Sequence, residues 1–246
     1  MKFQNGEIPY VTLAKFGLTQ EMIEDLPQQM LEDIFDGRRS PVLPIRIRDD
    51  KGEEILARTR FALIRCEDGS VDVVFYPQVK KSPLARFSPE ERKALLENEA
   101  IIAPVVTTEG KQVQAFHQID AGTRQILYVP TPVIGRNLEM VANGMKLTNA
   151  ELICLQKGLP VTVMDGEELR TIGIDLNEKT GIRFSLGDER KWREEQQRGM
   201  EKYNFGLNGC WVADDEGNLD YVPEESYTQE LWEEIRKRNC GMSVKH

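Results

Sequence analysis

The sequence predicts an α+β fold in which three related modules, each a helix followed by a three-stranded antiparallel meander, precede a C-terminal helix–hairpin–helix appendage. Two observations predict this fold. Three segments begin with helix-capping residues and continue as short alternating strands separated by glycine-containing turns. The second and third segments also match at a constant offset of sixty residues, from Ser88 to Thr148 and from Glu91 to Glu151. Such a recurrence indicates an internal repeat.

The third module shows the pattern most clearly. Thr148 and Glu151 form an S/T-x-x-E pair, in which each side chain bonds the backbone N–H of the other residue at a helix start. The helix is predicted to end at Gly158, which tolerates a left-handed conformation, and Pro160 prevents its continuation. The three predicted strands contain Val161 and Val163, Ile172 and Ile174, and Ile182 to Leu186.

The other two modules follow the same plan. In the second module Ser88 and Glu91 repeat the capping pair, and Pro89 occupies the first helical position, where a missing N–H does no harm. Its strands are predicted at Ile101–Val106, Gln112–Ile119 and Gln125–Val129. The first module has a longer helical run, from Leu18 to Gly37. Its strands are predicted at Val42–Arg48, Arg58–Arg65 and Ser70–Tyr76.

The repeat also predicts the domain organisation. We expect an N-terminal α+β module at 1–80, a second module with its linker at 81–146, a third module at 147–187 and the appendage at 188–246. Within the linker we expect only a short helix over Leu138–Ala142. The appendage is predicted as a charged helix with Trp192, a hairpin of Cys210–Ala213 with Leu219–Val222, and a last helix with Trp232.

Composition indicates a soluble globular protein. The chain has 246 residues, 40% of them hydrophobic and 30% charged, and no apolar run approaches the roughly 18 residues of a membrane span. Its start lacks the apolar core of a signal peptide, and its four cysteines stand far apart, so we expect free thiols, buried at Cys66 and Cys154, and a cytoplasmic location. The net charge of −9 disfavours a protein that coats nucleic-acid phosphates with its whole surface.

A local excess of arginine interrupts this acidic background. Residues 36–66 carry eight basic and five acidic side chains, around the rigid run GRRSPVLP at 37–44. Such a cluster is typical either of a sheet face with internal ion pairs, for example to Asp49 or Glu53, or of a site for an anion or a nucleic acid. If β-strand register placed Arg46 opposite Arg58, the like charges would repel. The candidate binding residues are Arg38, Arg39, Arg46, Arg48, Arg58 and Arg60.

The sequence contains few patterns that are typical of catalytic or metal-binding sites. The sequence contains no G-x-S-x-G, no P-loop, no G-x-G-x-x-G and no C-x-x-C. His117 lies in a predicted strand, on the face opposite Phe116, and is expected to be structural or exposed; the only other histidine is the terminal His246. Asp214, Glu216, Asn218 and Asp220 alternate like calcium ligands, but the displaced glycine favours a hairpin turn. We therefore expect no catalytic residue, no metal and no cofactor.

Motifs of the first module resemble a known but uncharacterised domain. They are Ile8-Pro9-Tyr10, the run GRRSPVLP at 37–44 and Val74-Phe75-Tyr76-Pro77. These residues resemble a domain of unknown function found in proteins of Bacteroidetes and often associated with conjugative elements. The segment 147–161 is similar to a second such family, often repeated in tandem. The resemblance implies a bacterial cytoplasmic protein in a mobile-element context, and it implies no activity.

Three functional hypotheses follow. The first, which we favour, is a non-enzymatic interaction or scaffold protein that binds a protein partner through Trp192 or Trp232, since aromatic side chains concentrate binding energy at interfaces. The alternative is a nucleic-acid-binding accessory protein that uses the arginine-rich hairpin. An enzyme with a dispersed site is the third. The oligomeric state stays open.

Overall fold

The computed structural model describes residues 2–48, 51–196 and 200–242. Within this part of the chain the fold is α+β, with four three-stranded antiparallel sheets whose strands follow one another in chain order. The predicted fold class is confirmed. Because each sheet is preceded by at least one helix, we number four modules in chain order: module 1 at 2–77, module 2 at 89–130, module 3 at 149–186 and module 4 at 189–223.

Module 1 has three short helices and the longest hairpin of the described chain. Its elements are α1 (Tyr10–Ala14), α2 (Gln20–Glu24), α3 (Gln28–Phe35), β1 (Leu43–Arg48), β2 (Glu54–Arg65) and β3 (Val71–Pro77). Module 2 has one helix. Its elements are α4 (Pro89–Leu96), β4 (Ile101–Val106), β5 (Gln112–Ile119) and β6 (Ile126–Pro130).

Modules 3 and 4 repeat the order of module 2. The elements of module 3 are α6 (Asn149–Gln156), β7 (Val161–Asp165), β8 (Glu168–Ile174) and β9 (Ile182–Leu186). Those of module 4 are α7 (Glu189–Gln196), β10 (Tyr203–Phe205), β11 (Gly209–Ala213) and β12 (Leu219–Pro223). Helix α5 (Thr131–Met145) joins modules 2 and 3, and α8 (Gln229–Met242) follows module 4. None of the helices in the described ranges has both the length and the apolar character of a membrane span.

Local capping chemistry sets the helix starts, as the sequence predicts. In α6 the Thr148 hydroxyl accepts from the Glu151 N–H at 3.3 Å, and the Glu151 carboxylate accepts from the Thr148 N–H at 2.7 Å. Ser88 and Glu91 make the same reciprocal pair at the start of α4, at 3.2 and 2.8 Å. Gly158 follows α6 with φ +86°, the left-handed conformation expected of it.

Two elements differ from the prediction. The segment expected to be mainly a linker forms the 15-residue helix α5. One side of this helix packs into the core, where Ile134 and Leu138 are 1 and 0% exposed. The appendage contains a three-stranded sheet where a two-stranded hairpin was predicted, since the short strand β10 pairs with β11. Module 4 is therefore a fourth helix-plus-meander unit, and α8 follows it.

Two large hydrophobic clusters tie the modules together. The first joins Phe61 and Ile34 of module 1 to Trp211 and Leu219 of module 4. The Trp211 indole N–H also donates to the Met22 carbonyl at 2.9 Å. The second cluster joins modules 2 and 3 through α5. The first and last modules thus share one hydrophobic core.

Candidate functional site

A cleft with both polar and apolar lining lies where the modules meet. It has a volume of about 760 Å³ between modules 1, 2 and 4. A smaller cavity of about 250 Å³, which shares Arg60, Asn98, Ala121 and Gly122 with it, extends to module 3. We call the larger space the central cleft. Its polar lining residues are Asp33, Arg39, Ser40, Arg60, Ser82, Glu97, Asn98, Arg124, Asp215 and Glu216.

Asp120 is the buried carboxylate beside this cleft. It follows the middle strand β5 and is 1% exposed. Its Oδ1 accepts from Arg60 Nη1 at 2.9 Å, and its Oδ2 lies 3.5 Å from Arg39 Nη1. The Gly122 N–H and the Thr123 hydroxyl donate to the same carboxylate, at 3.1 and 2.9 Å. Two arginines of module 1 therefore meet one carboxylate of module 2.

The network continues into module 3. Arg60 Nη1 also donates to Asn177 Oδ1 at 3.4 Å, and the Asn177 N–H donates to Asp175 Oδ1 at 3.0 Å. Arg183 Nε donates to the second oxygen of Asp175 at 3.1 Å. Arg183 also lies 3.7 Å from Glu195 of α7 as an ion pair. Because these groups are largely buried, each charge keeps an opposite charge within contact distance, as buried ions require.

Two further arginines of module 1 reach other modules. Arg38 Nη2 lies 2.9 Å from Glu178 of module 3, and Arg58 Nη2 donates to Asp220 of module 4 at 2.7 Å. Arg58 Nη1 also donates to the Leu219 carbonyl at 3.2 Å. Arg58 and Arg60 are two residues apart in β2, so they share one face of that strand. From that face Arg58 bonds module 4, and Arg60 bonds modules 2 and 3.

The remaining two candidates, Arg46 and Arg48, lie near the end of the β1–β2 hairpin and are exposed. The observed register sets Arg46 opposite Leu56 and Arg48 opposite Glu54, which avoids the repulsive pairing with Arg58. Arg46 also lies 3.9 Å from Glu54. The structure thus does not bring the six predicted arginines onto one face: four turn toward other modules and two point outward.

Burial raises the pKa of Glu178, the partner of Arg38. Glu178 has a pKa raised above its ordinary value of 4.5, mainly because burial disfavours its charged form. The Arg38 guanidinium beside it opposes that rise, and nearby Asp175 adds to it. The charge on Glu178 is therefore costly to bury, and its pair with Arg38 does not fully offset that cost.

The two tryptophans predicted as interface residues differ in their surroundings. Trp192 is 5% exposed and so is not a surface residue: it covers Gly173 of β8, where an added Cβ would lie 2.6 Å from the indole. Arg183 stacks on its ring at 4.1 Å. Trp232 is 40% exposed, and its ring meets Tyr227 edge-on at 5.3 Å. Trp232 is therefore the one of the two that can contact a partner directly.

The histidine and the cysteines are structural in character. His117 is fully buried between Phe87 and Tyr128, on the face opposite Phe116, which fits the structural alternative of the prediction. Cys66 and Cys154 are free thiols as predicted, but each is half-buried where full burial was expected. Cys210 is fully buried, and burial raises the pKa of its thiol to about 11. The side chain of Cys240 and the whole of His246 lie outside the described residues.

The Asp214–Asp220 segment forms the predicted hairpin turn. Asp214 Oδ1 accepts from the N–H groups of Glu216 and Asn218, at 3.0 and 2.8 Å, and its Oδ2 accepts from the Asn218 amide. Its oxygens are therefore bonded within the turn. Over the described ranges no group of three His, Cys, Asp or Glu side chains is arranged to hold a metal ion.

Sequence reasoning missed the carboxylates that organise the network. Asp120, Asp175 and Asp214 each come directly after the middle strand of their meander, and Cys66 takes that place in module 1. The three aspartates accept hydrogen bonds from backbone N–H groups of their own turns, those of Gly122, Asn177 and Asn218 respectively. The signal was available, because an aspartate follows the middle strand in three successive copies of the repeat.

The comparisons with known proteins agree with the coarse part of the resemblance. Residues 3–86 match a family model described as Protein of unknown function (DUF4099). The match covers 84 of the 246 residues, that is, module 1 and the segment after it. A search of curated proteins and a search of solved structures gave no match to the chain. The first module is therefore similar to an uncharacterised domain, with no activity attached to it.

Proposed function

We propose that this protein is a non-catalytic interaction protein, in which module 1 holds the other three modules in place so that they present a composite surface to a protein partner. One observation carries the proposal. Four arginines of module 1 bond carboxylates of modules 2, 3 and 4, and each of these contacts bridges residues far apart in the chain. Side chains committed to internal pairs serve assembly of the chain, which leaves contact with a protein partner to other surfaces.

The surface around Trp232 is the proposed contact for that partner. Trp232, Tyr227 and Phe205 form a chain of edge-on ring contacts with centroids 5.3 and 5.9 Å apart. Leu207, at the turn after β10, is 93% exposed, although the buried Asp25 carboxylate fixes that turn by accepting from the Leu207 and Asn208 N–H groups. A turn that is held rigid and presents an exposed leucine is suited to contact with another protein.

The cellular setting is also a proposal. The resemblance of the first module supports a bacterial cytoplasmic protein associated with mobile elements. On that basis we expect the partner to be another protein encoded by the same element.

An affinity capture with matched variants tests the interaction proposal. The tagged chain, a Trp232→Ala variant and a Met140→Ala variant are incubated with lysate of the source organism, and retained proteins are quantified by mass spectrometry. Met140 is also a large exposed apolar side chain, on α5. We expect a protein retained by the wild type and by Met140→Ala but lost with Trp232→Ala. Equal retention by all three baits would contradict the proposed contact.

The outward position of Arg46 and Arg48 keeps nucleic-acid binding as a second candidate. Against it, the hairpin segment 45–58 carries four basic and four acidic residues, so its net charge is zero. Fluorescence anisotropy with labelled DNA and RNA, at about 50 and about 200 mM salt, separates the candidates. Binding that weakens steeply with salt and is lost in an Arg46→Ala, Arg48→Ala double variant would favour nucleic acid. Absence of binding at the lower salt would exclude it.

A further inference from the structure

Three buried atoms of side chains that line the central cleft make no hydrogen bond within the described part of the chain, although one of them, Arg39 Nη1, lies 3.5 Å from Asp120 Oδ2. Arg39 Nη1, Arg60 Nε and Asn98 Oδ1 are buried and make no hydrogen bond, and all three side chains line the cleft. They are three of the six such atoms found among the described residues. Buried polar groups are nearly always satisfied by protein or by ordered water, so these atoms mark the inner part of the cleft as a polar environment.

The charged side chains of the cleft determine which charged groups a ligand can have. Arg39 and Arg60 are 20 and 24% exposed and share the single carboxylate of Asp120, so the inner end has a net charge of +1. This charge matches one carboxylate, which guanidinium groups bind through paired hydrogen bonds. A phosphate dianion would exceed it.

The outer end has the opposite sign. Glu97, Asp215 and Glu216 line the cleft and are exposed. Arg124 pairs with Glu216 at 2.6 Å, and Lys93 lies 3.9 Å from Glu97 as an exposed pair, so this end keeps a net charge of −1. That charge repels a purely anionic ligand and attracts an ammonium group. The opposite ends of the cleft therefore favour a zwitterion.

The third feature of the cleft is the apolar character of its walls. Apolar side chains form much of the lining, among them Met30, Pro41, Leu96, Ile119 and Met200. They suit apolar side chains on the ligand. We propose that the central cleft binds a short apolar peptide with free termini, its carboxylate at Arg39 and Arg60 and its ammonium group at Glu97 and Asp215. This inference does not depend on the interaction proposed at Trp232.

The arginine side-chain N–H resonances give a direct test. The ¹⁵N-labelled full chain is titrated with a pool of apolar tripeptides that have free termini, and the Nε–H signals of Arg39 and Arg60 are assigned by their loss in Arg→Lys variants. We expect a saturable shift of both signals. C-terminally amidated peptides are expected to bind about tenfold more weakly or worse, since they lose a charged contact. Inorganic phosphate is expected to give no saturable shift.

A matched pair of variants covers the case in which changes to the arginines disturb folding. Ala121 is exposed and lines the cleft, so Ala121→Trp fills it, whereas Ala14→Trp adds the same ring on α1, away from the cleft. Peptide binding should fall about tenfold in the first variant and stay unchanged in the second. No saturable shift with free peptides, or equal binding of amidated ones, overturns the proposal. Equal binding of N-acetylated peptides overturns the role of Glu97 and Asp215 and assigns the cleft to the C-terminus of a longer chain.

Discussion

Arg60 and Asp120, sixty residues apart in the chain, are joined by a hydrogen-bonded ion pair of 2.9 Å between modules 1 and 2. Two residues earlier on the same face of β2, Arg58 makes the equivalent contact to Asp220 of module 4, at 2.7 Å. One strand of the first module therefore contacts both module 2 and module 4. The arginine-rich segment therefore holds modules 1, 2 and 4 together through ion pairs.

Removal of the Asp120 carboxylate should destabilise the protein strongly. Asp120→Ala leaves Arg39 and Arg60 without their shared counter-charge and the Thr123 hydroxyl without its acceptor. We expect a loss of about 3 kcal/mol in the free energy of unfolding, measured by urea denaturation, because breaking a buried ion pair exposes the cost of the remaining charge.

Glu216→Ala is the matched control for this variant. It also removes a carboxylate that pairs with an arginine of another module, at 2.6 Å from Arg124, but Glu216 is exposed and Arg124 is only partly buried. We expect a change below about 0.5 kcal/mol, as for surface ion pairs in general. Equal losses in the two variants would show that burial of Asp120 adds nothing.

Glu178→Gln should be close to neutral or stabilising at pH 7. Burial raises the pKa of Glu178, so the folded state holds a proton on it more tightly than the unfolded state does. Stability from this group is therefore full below its ordinary pKa of 4.5 and is lost as the pH rises through the raised value. The variant should gain stability relative to wild type between pH 4 and pH 7. A relative loss over that range would mean that the pair with Arg38 dominates.

His117 should make the protein sensitive to mild acid. Burial lowers the pKa of His117 below 6.5, with nearby Arg86 in the same direction and Glu91 opposed to it. The unfolded chain therefore takes up a proton more readily, and stability falls as the pH drops through 6.5, by up to about 1.4 kcal/mol per pH unit. Urea midpoints of His117→Gln should lose this component of the pH dependence, whereas His246→Gln should keep it. An unchanged slope in His117→Gln would refute the assignment.

Tryptophan fluorescence should separate the buried from the exposed indoles. Trp192 and Trp211 are 5 and 0% exposed, and Trp232 is 40% exposed. Iodide quenches accessible indoles, so Trp232→Phe should remove most of the quenching and Trp192→Phe should leave it nearly unchanged. Loss of quenching in Trp192→Phe would mean that α7 does not cover Gly173 in solution.

Thiol reactivity should follow burial. Burial raises the pKa of Cys210 to about 11 and leaves little of the reactive thiolate at neutral pH. In a Cys240→Ser background, an aromatic disulfide reagent should label Cys66 and Cys154 in the native protein and Cys210 only after denaturant is added. Rapid native labelling of Cys210 would contradict the packing of its sheet.

The predictable part of the fold rests on local chemistry. The capping pairs at Ser88 and Thr148 act within one helical turn, so the sequence alone determines them. Helix α5 was predicted only over Leu138–Ala142 because Gly135 and Gly144 are typical of loops, and tertiary burial of Ile134 and Leu138 overrides that preference.

The site was predicted only in part, for a similar reason. Arg38, Arg39, Arg58 and Arg60 belong to the six-arginine cluster for which the sequence predicts anionic partners, and internal pairing was one of the alternatives. Their partners lie up to 162 residues away, and no local pattern links them. The burial of Trp192 depends on Gly173 of another element, which leaves room for the ring.

A double-mutant cycle on Arg60 and Asp120 tests the structural account most directly. The single variants Arg60→Gln and Asp120→Asn and their combination keep side-chain size while they remove charge, and urea unfolding gives the coupling free energy of the pair. The account predicts a favourable coupling of about 2 kcal/mol, within the range of contacting residues in one network. A coupling below about 0.3 kcal/mol, the level of independent sites, would contradict the claim that module 1 holds its neighbours through these arginines.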